Sequence, residues 1–174
     1  MLKARSALFQ IHENLNLRPL IVIPKKFQIG LVKCRVTYGR QVEKIEYEKY
    51  VFHSTQHLQC VYSESLTYSH KYVDRNALHQ LFMQKGAADN ILIIVKQRVT
   101  DSYYANVAFY DGDTWYTPSA PLLHGTRRQK LLDTHKIVER SITVSDIHNY
   151  QKISLFNAMI PFQQLTLDIA SIKL

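Results

Sequence analysis

ILIIV at residues 91–95, KQR at 96–98 and VTD at 99–101 form the stretch of sequence that decides the fold. A run of five apolar residues bounded by polar ones is typical of a strand buried on both faces. The polar KQR segment predicts a turn into a second strand that begins at Val99-Thr100. Asp101 therefore stands at the end of a buried strand, where a carboxylate is a candidate functional group.

Three further strands and a helix are predicted downstream of this pair. Residues 105–110 alternate between apolar and polar positions, and Asp111-Gly112 is a strong hairpin signal before a returning strand at 114–117. Gly125 stands just before a segment rich in Arg, Lys and Leu, which predicts a helix. Residues 153–157 are typical of a core strand. The strand pair at residues 91–100 is therefore followed by further strands, which together predict a larger sheet structure.

Upstream, Asp74 and Asn76 are plausible N-caps for a helix over residues 77–83 that ends at Gly86. This helix completes the predicted alternation of helices with strands in the second half of the chain.

The sequence of the first part of the chain predicts fewer elements than that of the second part. Apolar residues spaced by three and four positions over residues 2–15 favour an amphipathic helix, and the apolar run at 20–23 favours an extended segment. Residues 31–38 and 42–47 predict two strands joined by a turn at Gly39-Arg40. The fold class is mixed α/β, with a small N-terminal α/β part at residues 1–66 and a larger part at residues 67–174.

Composition limits the class of protein. The chain has 174 residues, of which 46% are apolar and 21% charged, as expected for a globular domain or two small ones. No stretch approaches the roughly 20 apolar residues that span a bilayer, and no secretory signal is visible, so we expect a cytoplasmic protein without membrane association. The net charge of +8 is scattered and lacks any nucleic-acid recognition motif, which favours anionic metabolites over nucleic acid.

Four local features could together form a catalytic site. Lys71 precedes a helix and has aromatic neighbours that could lower the pKa of its amine. Asp101 could pair with a protonated ring nitrogen. Gly125 and Thr126 could bind a phosphate at a helix N-terminus, with a charge from Arg127 or Arg128, and residues 157–158 could complete the phosphate site. Taken singly, the first three features are more readily explained as a surface lysine, a turn aspartate at a strand end, and a loop beside a basic helix face.

The order of these motifs resembles that of class IV aminotransferases, the fold type IV enzymes that use pyridoxal 5′-phosphate (PLP). The resemblance spans residues 68–159, and its motifs are Lys71, ILIIV, VTD followed by Asn106, a DG hairpin ending in Thr117-Pro118, LHGTRR and Asn157. It implies a D-amino-acid aminotransferase-like fold, a homodimer, PLP as cofactor, and Lys71 as the catalytic residue that forms a Schiff base with it. The cofactor-binding residues implied with Lys71 are Asp101, Asn106, Gly125, Thr126, Arg127, Asn157 and Ala158.

Two details resemble the aminodeoxychorismate lyases within this family. Asp74-Arg75 is similar to the Asn-Arg that follows their lysine, and residues 157–159 are similar to their Asn-Ala-Leu. This implies conversion of 4-amino-4-deoxychorismate into 4-aminobenzoate and pyruvate, a reaction of folate biosynthesis. The alternatives are a transaminase of the D-amino-acid or branched-chain type, an inactive cofactor-binding relative, and a basic domain that binds nucleic acid or another partner. No metal site is predicted, because His53 and His57, which could share a helix face, have no further ligand cluster.

Two departures from the family pattern concern the cofactor. The family's acid is usually Glu, and Asp101 is shorter by one methylene, or about 1.5 Å of reach. Family members also begin with strands that precede the helix found here at the start of the chain, a region that supplies an arginine for the cofactor phosphate. The resemblance therefore implies a shortened front end, and Arg5 is the candidate for that arginine.

Overall fold

The structure, a computed structural model, describes residues 1–174 and divides into two compact units, Met1–Phe52 and His53–Leu174. The predicted mixed α/β class is confirmed. The predicted boundary at residue 66 lies inside the larger unit, because a strand at Leu58–Ser63 pairs in parallel with the strand at Asn90–Val95. None of the helices combines the length and the apolar character that a membrane span requires.

The smaller unit consists of helix α1 (Leu2–Phe9) and the antiparallel strands β1 (Val32–Tyr38) and β2 (Val42–Lys49). The predicted hairpin is confirmed. The predicted helix over residues 2–15 is too long, because Gln10 adopts a left-handed conformation with φ of 58° and its backbone N–H donates to the carbonyls of the preceding turn. Of the apolar run at 20–23, which the sequence predicts to be extended, residue 20 lies in a turn and residues 21–23 have no regular secondary structure.

The larger unit contains two sheets and two helices. The four-stranded sheet has the order β11-β3-β4-β5, and the five-stranded sheet has the order β10-β9-β6-β7-β8. The elements are β3 (Leu58–Ser63), α2 (Asn76–Phe82), β4 (Asn90–Val95), β5 (Arg98–Ser102), β6 (Asn106–Tyr110), β7 (Trp115–Pro118), α3 (Thr126–Asp133), β8 (Val138–Arg140), β9 (Lys152–Phe156), β10 (Leu165–Asp168) and β11 (Ile172–Lys173).

Strand β4 is the centre of the core, as its continuous apolar run predicts. Leu92 and Ile94 pack in a cluster with residues of the five-stranded sheet, whereas Ile91 and Ile93 pack in a second cluster with side chains of α2. All four are fully buried. Because neighbouring residues of a strand face opposite sides, the run is apolar throughout only where both faces of the sheet are covered.

The two predicted hairpins of this unit are confirmed. Lys96 and Gln97 connect β4 to β5 and both have positive φ, which suits the right-handed twist of the paired strands. Asp111 begins the turn between β6 and β7, where its Oδ1 accepts the backbone N–H groups of Asp113 and Thr114.

The pairing of β6 with β9 determines where the candidate residues meet. Asn106 lies opposite Phe156 in the antiparallel register, so Asn157 follows β9 next to the start of β6. Asn106 and Ala108 are on the same face of β6, and Ala108 packs in a cluster with Leu131 of α3. This end of the sheet therefore faces the loop that leads into α3.

Candidate active site

The Asp101 carboxyl group is the centre of the candidate site. It is only 5% exposed, at the end of β5 on the same side of the strand as the core residue Val99. Its Oδ1 accepts a hydrogen bond of 2.8 Å from Asn106 Nδ2, and its Oδ2 accepts one of 2.9 Å from the Leu123 backbone N–H. Burial raises the pKa of Asp101 to about 6, although these hydrogen bonds oppose the increase.

Asn106 links this carboxyl group to the loop before α3. Its Nδ2 donates a second hydrogen bond, also of 2.8 Å, to the Leu123 carbonyl. On the same loop, a Cβ built on Gly125 would lie 2.1 Å from Asn106 Oδ1, far inside contact distance. Gly125 has φ of −68°, so it is required by the close approach of the asparagine rather than by its own backbone conformation.

The start of α3 offers the chemistry of an anion site. The first backbone N–H groups of a helix have no partner within the helix and point away from its N-terminus. Thr126, the first helical residue, is exposed and adds a hydroxyl group at this end. Arg127 instead donates from Nε to the Asn157 carbonyl at 2.5 Å and from Nη2 to the Ala158 carbonyl at 3.0 Å. The arginine thus ties α3 to the end of β9.

Asn157 is occupied by contacts within the protein. Its Nδ2 donates to the Tyr104 carbonyl at 3.0 Å, and its Oδ1 accepts the backbone N–H groups of Met159 and Ile160. Its side chain therefore holds two loops together beside Arg127.

Seven of the nine residues predicted from the sequence are brought together by these contacts. They form a continuous set along the ends of β5, β6 and β9 and the start of α3: Asp101, Asn106, Gly125, Thr126, Arg127, Asn157 and Ala158.

Lys71 lies in the exposed segment between β3 and α2, five residues before the helix begins. A cleft lined by residues 66–68 and 72–78 lies beside it in the chain. Near the end of this segment, Arg75 donates from Nη2 to the Tyr103 carbonyl at 2.7 Å, and its guanidinium carbon lies 4.6 Å from the centre of the Tyr103 ring. Tyr103 follows Asp101 by two residues, so Arg75 connects the start of α2 to the Asp101 loop.

Arg5 belongs to the smaller unit, where its guanidinium group donates to two backbone carbonyls. Nη1 contacts the Glu13 carbonyl at 2.8 Å, and Nη2 contacts the Arg40 carbonyl at 3.1 Å. These contacts hold the chain after α1 against the β1–β2 turn. The assignment of Arg5 to the cofactor phosphate stays a prediction.

One contributor was not assigned from the sequence, and another was only one of two alternatives. The Leu123 backbone bonds to both Asp101 and Asn106, and backbone groups leave no signal in a motif. Arg128 is 1% exposed, donates to the Pro118 carbonyl and to Glu139, and its positive charge favours the ionised form of Asp101. The sequence offered Arg127 or Arg128 as the source of a positive charge, since spacing alone does not tell which of the two is buried.

The segment with His53 and His57 is not helical, so the helix face suggested for them does not exist. No cluster of three or more His, Cys, Asp or Glu side chains is arranged to hold a metal ion.

Comparison with known proteins identifies the family of this chain. The sequence model of the family described as amino-transferase class IV matches residues 42–167. An uncharacterized protein of Haemophilus influenzae is 42% identical over 144 residues, which cover 83% of this chain and 77% of that protein. The chain therefore belongs to the class IV aminotransferase family.

Solved structures show the same fold. A crystal structure of a candidate 4-amino-4-deoxychorismate lyase from Haemophilus somnus superposes with a TM-score of 0.72 at 37% identity, covering 75% of this chain and 68% of that one. A hypothetical aminotransferase from Mycobacterium tuberculosis, in its PLP-bound form, gives a TM-score of 0.54 at 17% identity, covering 63% of this chain and 46% of that one. The second likeness concerns the fold alone.

Proposed function

We propose that the chain is a PLP-dependent enzyme that acts as a 4-amino-4-deoxychorismate lyase, splitting its substrate into 4-aminobenzoate and pyruvate. The observation that carries the PLP assignment is the buried carboxyl group of Asp101, joined through Asn106 to the loop in front of α3. PLP has a basic ring nitrogen at one end and a phosphate at the other. The buried acid matches the ring nitrogen, and the helix N-terminus held at a fixed place beside it matches the phosphate.

The residues at this place fit the cofactor. Each oxygen of the Asp101 carboxylate has two lone pairs, so the hydrogen bonds from Asn106 and Leu123 leave room to accept a ring N–H. Gly125 and Thr126 would hold the phosphate through backbone N–H groups and the threonine hydroxyl. Arg127 would keep the start of α3 in place through its bonds to Asn157 and Ala158.

Lys71 would supply the amine that carries PLP. When bound, PLP withdraws electrons from the substrate carbon beside the amino group. The Nζ atom of Lys71, released when the substrate amine takes its place, would then accept and return a proton. Its exposed position lets substrate reach it, and the bond from Arg75 to Tyr103 anchors the segment that bears it.

The choice of lyase over transaminase rests on sequence. Asp74-Arg75 and residues 157–159 resemble the lyases, and the Haemophilus somnus structure with 37% identity is named as a candidate lyase. A transaminase of the D-amino-acid or branched-chain type would use the same lysine and acid, so it is the alternative that the substrate assay distinguishes. We further propose that the protein is a homodimer, on the basis of the family resemblance; sedimentation equilibrium measures this directly.

The first experiment tests the cofactor. The purified protein is mixed with PLP, the visible absorbance band of the lysine-bound cofactor is recorded, and borohydride reduction followed by peptide mass spectrometry identifies the modified lysine. We expect the label on Lys71 and its loss in Lys71→Ala. Lys136→Ala, which removes another exposed lysine of the same unit, serves as the matched control and keeps the band. A label spread over several lysines, or an unchanged band in Lys71→Ala, contradicts the assignment.

The second experiment tests the reaction. 4-Aminobenzoate and pyruvate are measured with 4-amino-4-deoxychorismate as substrate, and keto-acid formation is measured with a panel of D- and L-amino acids. Release of the two products in equal amounts, abolished in Lys71→Ala, supports the lyase. Keto acids formed only from amino acids would replace the lyase with the transaminase.

A further inference from the structure

Asn106 joins the candidate acid Asp101 to the loop before α3. Its side chain is buried, at 6% exposure, and both hydrogens of Nδ2 are used: one by the Asp101 carboxylate and one by the Leu123 carbonyl, each at 2.8 Å. The Leu123 N–H returns a hydrogen bond to the other carboxylate oxygen at 2.9 Å. Three residues separated by up to 22 positions therefore form a closed triangle of hydrogen bonds.

The chemistry of the partners determines the orientation of this amide. Both neighbours of Nδ2 are acceptors, a carboxylate and a carbonyl, so an amide turned by 180° would place its oxygen against two other oxygens. The orientation observed also places Oδ1 toward Gly125, close enough that a Cβ there would collide with it. A side chain that presents two donors in this geometry satisfies both the carboxylate and the carbonyl.

We propose that Asn106 is a positioning residue that fixes the distance between the acid and the loop before α3, acting through Asp101 and Leu123 rather than by touching the cofactor. This inference rests on the proposed function, because the acid and the loop are assigned there to the two ends of PLP. Asn106 keeps the Asp101 carboxyl group and the loop before α3 at a fixed distance before the cofactor binds. The buried charge of Arg128 faces the same carboxylate and does not contact Asn106 through a hydrogen bond.

The first test uses the cofactor-free, unmodified protein, so it does not depend on PLP binding. The side-chain amide resonances of Asn106 are followed by NMR from pH 4 to pH 8, together with hydrogen exchange of the Leu123 backbone amide. We expect two distinct, slowly exchanging Nδ2 protons whose shifts change together with the titration of the Asp101 carboxyl carbon. Rapidly exchanging protons that do not respond to this titration overturn the proposal.

The second test uses Asn106→Asp, which keeps the shape of the side chain and replaces both donors with an acceptor. Hydrogen exchange at Leu123 is expected to be roughly tenfold faster than in the unmodified protein, since the variant loses the bonds that hold the loop. The titration of Asp101 is expected to move to higher pH, because a second carboxylate lies beside it. Asn149→Asp, the same change at an exposed asparagine, is the matched control and leaves both quantities unchanged.

Cofactor binding then separates this inference from the function it rests on. In Asn106→Asp the dissociation constant of PLP is expected to rise about tenfold or more, while the lysine that is labelled stays Lys71. If the unmodified protein forms no lysine-bound PLP, the proposed function fails and the first test still decides whether the triangle exists. If PLP binds the unmodified protein and Asn106→Asp equally well, and Leu123 exchanges at the same rate in both, Asn106 has no positioning role.

Discussion

Gly125→Ala measures how much the two Asn106 hydrogen bonds of the Asp101–Asn106–Leu123 triangle contribute to the stability of the larger unit. An alanine Cβ would lie 2.1 Å from Asn106 Oδ1 and 3.3 Å from its Cγ, so the amide must move. The movement breaks two hydrogen bonds of 2.8 Å, one of them to a carboxylate. Hydrogen bonds contribute about 1 kcal/mol between neutral groups and about 1.5–3 kcal/mol to charged ones, which gives a loss of about 2–4 kcal/mol.

Backbone conformation does not add to this cost. Gly125 has φ of −68° and ψ of 144°, which alanine adopts freely. Replacing glycine at such a position even stabilises the folded state by about 0.4–1 kcal/mol, because the unfolded chain loses freedom. We therefore expect Gly125→Ala to lower the free energy of unfolding of the larger unit by about 2–3 kcal/mol.

The assay is urea denaturation followed by fluorescence of Trp115, the single tryptophan, which lies in β7 and reports on the larger unit. The same change is made in an Asn106→Ala background, where no amide is left to collide with. There the cost of Gly125→Ala should fall to about zero, giving a coupling energy of about 2–3 kcal/mol between the two positions.

Gly86→Ala is the control for the backbone. Gly86 has φ of 58° and ψ of −127°, and nothing lies within 4 Å of a built Cβ, so its cost comes from backbone strain alone. That cost, about 1–3 kcal/mol, should be the same with Asn106 present or truncated. Equal costs of Gly125→Ala in the two backgrounds, or no cost at all, refute the assignment of Gly125 to the close approach of Asn106.

Three other predictions concern the same unit. Asp101 has its pKa raised to about 6 from an ordinary value of 3.8, so between these two values the folded state holds a proton that the unfolded state has released. The contribution of this group to stability therefore falls by about 2 kcal/mol as pH rises from 4 to 6. The difference in unfolding free energy between the unmodified protein and Asp101→Asn, followed over that range, measures this fall, and a difference independent of pH contradicts the burial argument. Arg127→Met removes the hydrogen bonds to the Asn157 and Ala158 carbonyls and is expected to lower the free energy of unfolding, measured by urea denaturation, by about 1–2 kcal/mol. The control Lys130→Met, at an exposed position of the same helix, should change it by less than about 0.5 kcal/mol. Equal effects would show that the two carbonyl contacts contribute nothing. Ile93→Ala, at a fully buried position of β4, is expected to lower the free energy of unfolding by about 2–5 kcal/mol. Val73→Ala, at a position that is 82% exposed, should lower it by almost nothing. Thermal unfolding of both variants checks this, and a small loss at Ile93 would mean that the core collapses around the missing atoms.

Local sequence patterns predicted the elements that depend on neighbours in the chain. The apolar run of β4, the turn at Lys96-Gln97 and the hairpin at Asp111-Gly112 each follow from residues within a few positions of one another. Strand β3 was missed, because it has no hairpin partner and pairs in parallel with β4 about 30 residues away. Its stability as a strand comes from that pairing and from burial, which a local window does not contain.

The candidate site divides in the same way. The sequence shows the types and the order of the candidate residues, because the family motif is defined by side chains. These residues are Lys71, Asp101, Asn106, Gly125 and Asn157. Their geometry was not readable, since most of the contacts join segments that are distant in the chain, as those of Asn106 with Leu123 and of Arg127 with Asn157 do.

The sequence alone determined which chemical groups are present, that β4 must be covered on both faces, and that the chain resembles the class IV aminotransferases. The tertiary structure decided that Asp101 is buried enough for its pKa to rise, that Arg128 rather than Arg127 is the buried arginine, and that Asn106 fills the space that Gly125 leaves open. Burial, close approach and hydrogen-bond partners depend on which segments meet in space, and that is a property of the whole fold rather than of any stretch of residues.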